Sequence, residues 1–178
     1  MRSAVDKQKL LQFMLEIGRL AESSGRVYFV GGSTALLLNT RAQTIDIDIK
    51  LDPEPAAIFE AIAELKIRLD LSVELASPDQ FLPALPGWRD RSEFIASYGQ
   101  VDFYHYDFYA QALAKILRDL GQDIEDAKNL VRLGKVDPAK LRGLFEQIEP
   151  ELRRFPHLSP RDFASQLTEF LRSVGLEP

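Results

Sequence analysis

The stretch VGGSTALLLNTRAQTIDIDIK, residues 30–50, decides the fold because it joins a glycine turn to an acidic strand. Its last seven residues alternate strictly, which predicts a strand with Ile45, Ile47 and Ile49 on one face. The opposite face then carries Thr44, Asp46, Asp48 and Lys50. An acid in a strand costs stability unless something pairs with it. The two aspartates therefore either line a wet face or hold a cation.

A strand, a glycine turn and a short helix precede the acids. Residues 26–31 predict a buried strand, and residues 33–39 predict a helix that begins at Ser33, a residue type favoured as an N-cap. Adjacent glycines let a backbone approach a ligand closely, and a helix N-terminus offers N–H groups to phosphate. Alone, Gly31-Gly32-Ser33 is typical of a simple turn, but followed by the acidic strand it indicates a phosphate site.

The spacing of Asp46 and Asp48 suits hard cations. Side chains at positions i and i+2 of a strand project from the same face, about 7 Å apart along the chain. Mg²⁺ prefers a few carboxylates together with water and phosphate oxygens. Two such ions stabilise both the attacking and the leaving oxygen of a phosphoryl displacement. The alternative is that both acids form the solvent face of an edge strand.

Strand, glycine turn, helix and acidic strand together resemble the DNA polymerase β-like nucleotidyltransferase superfamily. The matching residues are Gly31, Gly32, Ser33, Asp46 and Asp48. The stretch is most similar to the branch that contains toxins of abortive-infection and toxin–antitoxin systems. That branch commonly has an Arg and a Thr before the acids, and Arg41 and Thr44 match them. The resemblance covers roughly residues 26–133, and Mg²⁺ or Mn²⁺ is the metal that it implies.

The same branch has a lysine-bearing helix followed by a helix rich in acids. Lys115 and Arg118 match the first helix, and Asp123 and Asp126 match the second. Gln111, Lys115 and Arg118 also fall on one polar stripe at helical spacing. Cations beside a dimetal site would neutralise triphosphate charge, whereas a solvated helix face is the structural alternative. The acids could orient these cations, contact the nucleotide or favour a helix N-terminus.

A third carboxylate is expected from a later strand, and the sequence leaves its identity open. Asp102 lies in the aromatic strand pattern VDFYHY, and Asp107 follows at a junction between strand and helix. Asp107 could swing toward the metals or cap the helix, and Glu93 is a further candidate. We predict that Asp102 and Asp107 jointly supply this function.

The remaining pattern predicts an α+β fold, in which a small mixed sheet with helices precedes a helical C-terminal half. An amphipathic helix is predicted over residues 3–22, a helix over 53–67, a strand over 71–76, a loop over 77–92 and a hairpin that turns near Gly99. Four helices follow residue 107, with Asp107, Asp137 and Ser159 as N-caps. Gly134 and Gly175 are predicted helix stops. We place the domains at residues 1–106, the nucleotidyltransferase core, and 107–178, a helical region packed on it.

Composition excludes several other classes of protein. The 178 residues carry a net charge of −5, which disfavours a large nucleic-acid surface. With no cysteine and two histidines, thiolate and histidine-rich metal sites are disfavoured. The first residues mix charges into an apolar periodicity, unlike a signal peptide, and no apolar run approaches a membrane span. We expect a cytoplasmic protein.

Two functions from different classes fit the residues. The first is transfer of a nucleoside monophosphate from an NTP to an acceptor hydroxyl, which the resemblance implies is on an RNA such as a tRNA 3′ end, or on a protein. As a toxin, such an enzyme would need a cognate antitoxin as partner. The second is an idle nucleotide-binding or regulatory module of the same fold.

Overall fold

The computed structural model describes residues 3–176. It divides into two compact units, one that runs through Ser77 and includes Ser92–Tyr106, and one made of Pro78–Arg91 and the chain from Asp107 onward. The α+β class is confirmed. The predicted division into domains at residue 106 stays a prediction.

A five-stranded mixed sheet forms the centre of the first unit. Its spatial order is β5-β4-β2-β7-β6, and a two-stranded sheet pairs β1 with β3. The strands are β1 Val5–Asp6, β2 Gly25–Val30, β3 Gln43–Thr44, β4 Asp46–Leu51, β5 Ser72–Leu75, β6 Glu93–Tyr98 and β7 Val101–His105. β2 is antiparallel to β4 and parallel to β7, while β4 is parallel to β5. The predicted strand over residues 71–76 and the hairpin at Gly99 are confirmed.

Among the described residues of this unit, the helices are α1 Lys7–Leu20, α2 Gly31–Leu37 and α3 Ile58–Arg68. α1 begins later than residue 3, because Asp6 is its N-cap and accepts a hydrogen bond from the Lys9 N–H at 2.8 Å. α3 also begins later than predicted, after Ala57 in a left-handed conformation. The apolar faces of α1 and α3 share one core with the isoleucine face of β4 and with the buried residues of β2 and β7.

The alternating face of β4 is confirmed for two of its three isoleucines. Ile47 and Ile49 are buried in the core, while Asp46 and Asp48 on the other face are half-buried. The expectation for Ile45 is wrong, because 73% of it is exposed. Ile45 lies in the bend between β3 and β4, and the regular alternation of buried and exposed side chains starts only with β4 at Asp46.

The second unit is helical, with α4 Trp88–Arg91, α5 Phe108–Arg118, α6 Gly121–Arg132, α7 Pro138–Ile148 and α8 Pro160–Ser173. The four helices predicted after residue 107 are confirmed, as are the N-caps at Asp107, Asp137 and Ser159. Gly134 and Gly175 follow helix ends with φ of 68° and 89°, a conformation that glycine adopts without strain.

The segment predicted as a loop at residues 77–92 is partly helical. It contains a 3₁₀ helix at Pro78–Gln80 as well as α4, and a second 3₁₀ helix spans Glu149–Arg154. Trp88 is only 6% exposed, so it packs within the protein instead of offering a free aromatic surface. No helix within residues 3–176 has the length and hydropathy that crossing a bilayer requires.

Candidate functional site

The glycine turn and one acid lie side by side at the end of β2. Val30, the last residue of β2, pairs with Asp48 on β4, and Gly31 begins α2. Gly31 has φ of 60°, and a Cβ added there would lie 3.2 Å from Asp48 Oδ2. Glycine thus provides both the left-handed conformation and the space beside the carboxylate. The structure brings together Gly31 and Asp48, with Asp46 on the same face of β4.

Thr44 connects the second glycine to the acidic strand. A Cβ on Gly32 would lie 2.1 Å from Thr44 Oγ1, so the threonine occupies the space that a side chain would need. The Thr44 hydroxyl donates a hydrogen bond to the Asp46 carbonyl oxygen at 3.2 Å. Thr44 therefore fixes the start of β4 against the turn. A nucleotide contact by Thr44, or by half-buried Arg41, stays a prediction.

Ser33 is not the N-cap of α2, contrary to the sequence prediction. The helix begins two residues earlier, at Gly31, because the positive φ of that glycine makes the turn from strand to helix. Ser33 lies in the first helical turn, fully buried, and its Oγ lacks a hydrogen-bond partner among the described residues. Its backbone N–H, at the start of a helix, remains the group suited to phosphate.

Thr34 and His105 connect the start of α2 to β2 and β7, and sequence reasoning missed both. The Thr34 hydroxyl donates to the Phe29 carbonyl oxygen at 3.1 Å. His105 Nδ1 lies 3.3 Å from Thr34 Oγ1, and His105 pairs with Phe29 in the parallel register of β7 with β2. No local sequence pattern could indicate this contact, because 71 residues separate Thr34 from His105.

Glu74 is the acid that the strand register places beside the pair. Asp48 pairs with Glu74 on β5, and Asp46 pairs with Ser72. Neighbouring strands lie about 4.8 Å apart, and paired residues point to the same face of the sheet. The exposed Glu74 is thus a candidate site residue beside the pair, although it does not converge with Asp46 and Asp48 as a three-residue metal group within residues 3–176. The alternation in residues 71–76 places Ser72 and Glu74 on one face of β5, but only the strand order shows that this face lies beside Asp46 and Asp48 of β4.

The acids proposed in the first unit from sequence lie elsewhere on the sheet. Asp102 pairs with Arg26, four residues before Val30, which is about 13 Å along the strand from the glycine turn. Its carboxylate accepts a hydrogen bond from the Ser97 hydroxyl. Glu93 is exposed at the start of β6, opposite His105. A catalytic role for Asp102 stays a prediction.

Asp107, in the second unit, is fully buried and has protein partners for both oxygens. Arg91 donates to its Oδ2 from Nε at 3.1 Å and from Nη2 at 2.6 Å. The Tyr109 N–H donates to Oδ1 at 3.1 Å, which makes Asp107 the N-cap of α5. Burial raises the pKa of this carboxyl above its usual value, and Arg91 acts against that rise. Capping is thus the role that the contacts show.

Lys115 lies in a buried charged cluster with the two predicted acids of α6. Its Nζ donates to Asp126 Oδ2 at 2.6 Å and to Asp123 Oδ1 at 3.2 Å. Arg118 Nε lies 3.3 Å from Asp123 Oδ2, too poorly aligned to count as a hydrogen bond. Gln122 donates to Asp126 Oδ1 at 3.2 Å. Within the polar stripe of α5, Gln111 and Lys115 are buried, whereas Arg118 is exposed.

The acids of β4 fit a Mg²⁺ ion that relies on its substrate for ligands. Asp46 and Asp48 share a face, and Asp48 Oδ2 lies against the open space above Gly31. No group of three or more His, Cys, Asp or Glu side chains converges as a metal cage anywhere in residues 3–176. Two carboxylates on one face of β4 would leave the remaining ligand positions of a Mg²⁺ ion to water and phosphate oxygens, which that ion accepts.

Comparison with known proteins places this arrangement in a family. Curated proteins and solved structures give no significant match to the chain. A family model described as a nucleotidyltransferase of unknown function (DUF6036) matches residues 8–174 and so spans both units. The chain therefore belongs to this nucleotidyltransferase family.

Proposed function

We propose that this nucleotidyltransferase moves a nucleoside monophosphate from an NTP to an acceptor hydroxyl and depends on Mg²⁺, or Mn²⁺ in its place. The observation that carries the proposal is the contact between the glycine turn and the acidic strand. Gly31 leaves open the space next to Asp48 Oδ2, and Asp46 lies on the same face. A phosphate at the turn would thus lie beside carboxylates that can share its metal.

Asp46 and Asp48 would hold the metal, which when bound supplies a positive charge that stabilises the reacting phosphoryl oxygens. The backbone N–H groups of Gly32 and Ser33, in the first turn of α2, would bind phosphate oxygens. Thr44 keeps the turn and β4 in register through its contacts with both. The chain itself thus contributes orientation and fixed charge, which are the main requirements of phosphoryl transfer.

Glu74 is the acid best placed to accept the proton of the acceptor hydroxyl. Its register with Asp48 supports this role, whereas Asp102 lies farther along the sheet. Asp107, already engaged by Arg91, would need to leave that ion pair before it could take part. We rank Glu74 first, followed by Asp102 and then Asp107.

The sequence resemblance supports a role for Lys115, together with Arg118, in stabilising negative charge on the phosphates. The two acids that contact the Lys115 ammonium group fix its position. Asp126 makes the shorter contact, and its second oxygen is bound by Gln122. Asp126 thus supports Lys115 as a positioning residue. Arg41 is proposed as a further contact of the nucleotide.

The acceptor is proposed to be RNA, such as a tRNA 3′ end, or a protein hydroxyl. As a toxin, the enzyme would be restrained by a cognate antitoxin. The sequence resemblance supports both statements. The competing function is an idle nucleotide-binding module, and the lack of a three-residue metal cage in the described residues is the observation that favours it.

A labelling experiment separates these functions. Each α-³²P-labelled NTP is incubated with the protein, Mg²⁺ and total tRNA, and products are resolved by electrophoresis. We expect label on RNA or protein with the wild type and with Asp90→Asn, an exposed aspartate on α4. Asp46→Asn should abolish the label, and Glu74→Gln should reduce it. NTP binding without any transfer by the wild type would instead support the idle module.

A further inference from the structure

A cavity of about 410 Å³ lies within the second unit, beside the charged stripe of α5. Its volume falls in the range of ordinary ligand pockets, roughly 300–1,000 Å³. We name it the α5 cavity, and its lining residues are Phe81, Ala114, Leu117, Arg118, His157 and Leu158. The lining combines two rings and aliphatic side chains with a single arginine. Such a mixture suits a ligand that has both a flat apolar part and a negative charge.

Two rings make the wall that a flat ligand would contact. Phe81 is 48% exposed, which is unusual for a phenylalanine side chain. His157 Nε2 lies 3.2 Å from the Phe81 carbonyl oxygen, and since a carbonyl only accepts, Nε2 carries the hydrogen. In the neutral ring Nδ1 is then an acceptor. Phe155 contacts the His157 ring edge-on at a centroid distance of 6.0 Å, which holds the ring in place.

Arg118 supplies the charge at this cavity. Its side chain is 64% exposed, and its Nε lies near Asp123 Oδ2. A guanidinium carries five N–H groups in a rigid fork, so one contact with a carboxylate leaves others for phosphate oxygens. Asp123 is also an acceptor of Lys115. Asp123 thus lies between Lys115, which donates to Oδ1, and Arg118, which is near Oδ2.

We propose that the α5 cavity binds a nucleotide unit, with the base on Phe81 and the phosphate on Arg118. An exposed aromatic ring that lines the same cavity as a cation is a combination with which proteins bind unpaired bases, because every base offers a face for stacking. Leu117 and Leu158 border the base, and His157 Nδ1 can accept a hydrogen bond from an exocyclic amino group. This inference goes beyond the proposed function, because it assigns a nucleotide site built only from residues of the second unit.

Isothermal titration calorimetry of the full-length Asp46→Ala/Asp48→Ala protein tests the assignment, because binding through the acids of β4 is then removed. The titrants are AMP, CMP, GMP and UMP, then adenosine, inorganic phosphate and a single-stranded hexaribonucleotide. We expect the mononucleotides to bind, with adenosine and phosphate each weaker. If the hexaribonucleotide binds tightly and a mononucleotide competes with it, the ligand of the cavity is a nucleotide within RNA. If only mononucleotides bind, the ligand is a free nucleotide.

Substitutions in the same background locate the binding. Phe81→Ala should weaken nucleotide binding by roughly 5- to 150-fold, the cost of one lost base stack. Phe81→Trp should restore it, which separates stacking from a folding defect. Phe59→Ala, on the comparably exposed phenylalanine of α3, should have no effect. Arg118→Gln should weaken the binding of AMP but not that of adenosine. Arg132→Gln is the control, because Arg132 is similarly exposed and also contacts one carboxylate, and it should weaken the binding of neither.

The outcomes distinguish this inference from the proposed function. Equal nucleotide affinity in Phe81→Ala and in the parent overturns the inference, and so does equal affinity of the parent for AMP and adenosine. Neither result affects label transfer that depends on Asp46. Conversely, if nucleotide binding depends on Phe81 but the wild type transfers no label, the nucleotide site is supported and the transferase activity is refuted.

Discussion

Gly32→Ala tests whether the glycine turn is shaped by its contact with Thr44. The added Cβ would lie 2.1 Å from Thr44 Oγ1 and 2.8 Å from Thr44 Cβ, while ordinary contacts between heavy atoms are near 3.5–4.0 Å. Overpacking of this kind costs about 1–3 kcal/mol. Displacing Thr44 also breaks its hydrogen bond to Asp46, worth about 1 kcal/mol. Alanine in a helix recovers at most about 1 kcal/mol, so we expect a net loss of about 2 kcal/mol.

Urea unfolding followed by circular dichroism measures this loss as a double-mutant cycle with Thr44→Gly. In the Thr44→Gly background the clash is gone and the helical gain of alanine remains, so Gly32→Ala should be stabilising by up to about 1 kcal/mol. The coupling should therefore be about 3 kcal/mol. Gly143→Ala is the control, because its Cβ meets no described atom within 4 Å in α7, and it should be stabilising by about 0.5–1 kcal/mol. Equal costs of Gly32→Ala in both backgrounds would refute the steric argument.

Two further substitutions test the buried charges of the second unit. Arg91→Met removes the group that opposes the raised pKa of Asp107, so the variant should lose about 3 kcal/mol at pH 7. Because the folded state then binds the Asp107 proton more tightly than the unfolded state, stability should fall as pH rises from about 4, where the unfolded carboxyl titrates, and the deficit should be smallest at that pH. Urea midpoints measured from pH 4 to pH 8 check this, and a deficit independent of pH would contradict it. Lys115→Met should cost about 3–5 kcal/mol by leaving Asp123 and Asp126 uncompensated, whereas a cost under 1 kcal/mol in the same assay would show that the cluster is not held as a unit.

Local patterns predicted much of the fold. The alternation at Ile47 and Ile49 identified a strand with one buried face, since side chains on a strand alternate. The helix boundaries at Asp107 and Ser159 followed from capping chemistry, which depends on neighbours within a few residues. Ser33 failed as a cap because the conformation of Gly31, not a side chain, makes the turn.

The rest depends on which distant segments pair. Glu74 is a candidate only because β5 lies next to β4 in the sheet, and strand order is not visible in the composition of either strand. The ion pair of Asp107 with Arg91 was equally hidden from the sequence, because Arg91 lies in a segment that was predicted to be a loop. The glycine turn and Asp48, in contrast, are separated by one short helix, so a sequence motif could indicate their proximity.

Metal binding by the acids of β4 tests the central claim most directly. Electron paramagnetic resonance can titrate Mn²⁺ into the protein in the presence of a non-hydrolysable NTP analogue. Asp46 and Asp48 as metal ligands predict saturable Mn²⁺ binding in the wild type and in Asp90→Asn, and at least tenfold weaker binding in Asp46→Asn and Asp48→Asn. Equal Mn²⁺ affinity in all four proteins would contradict this account of the site.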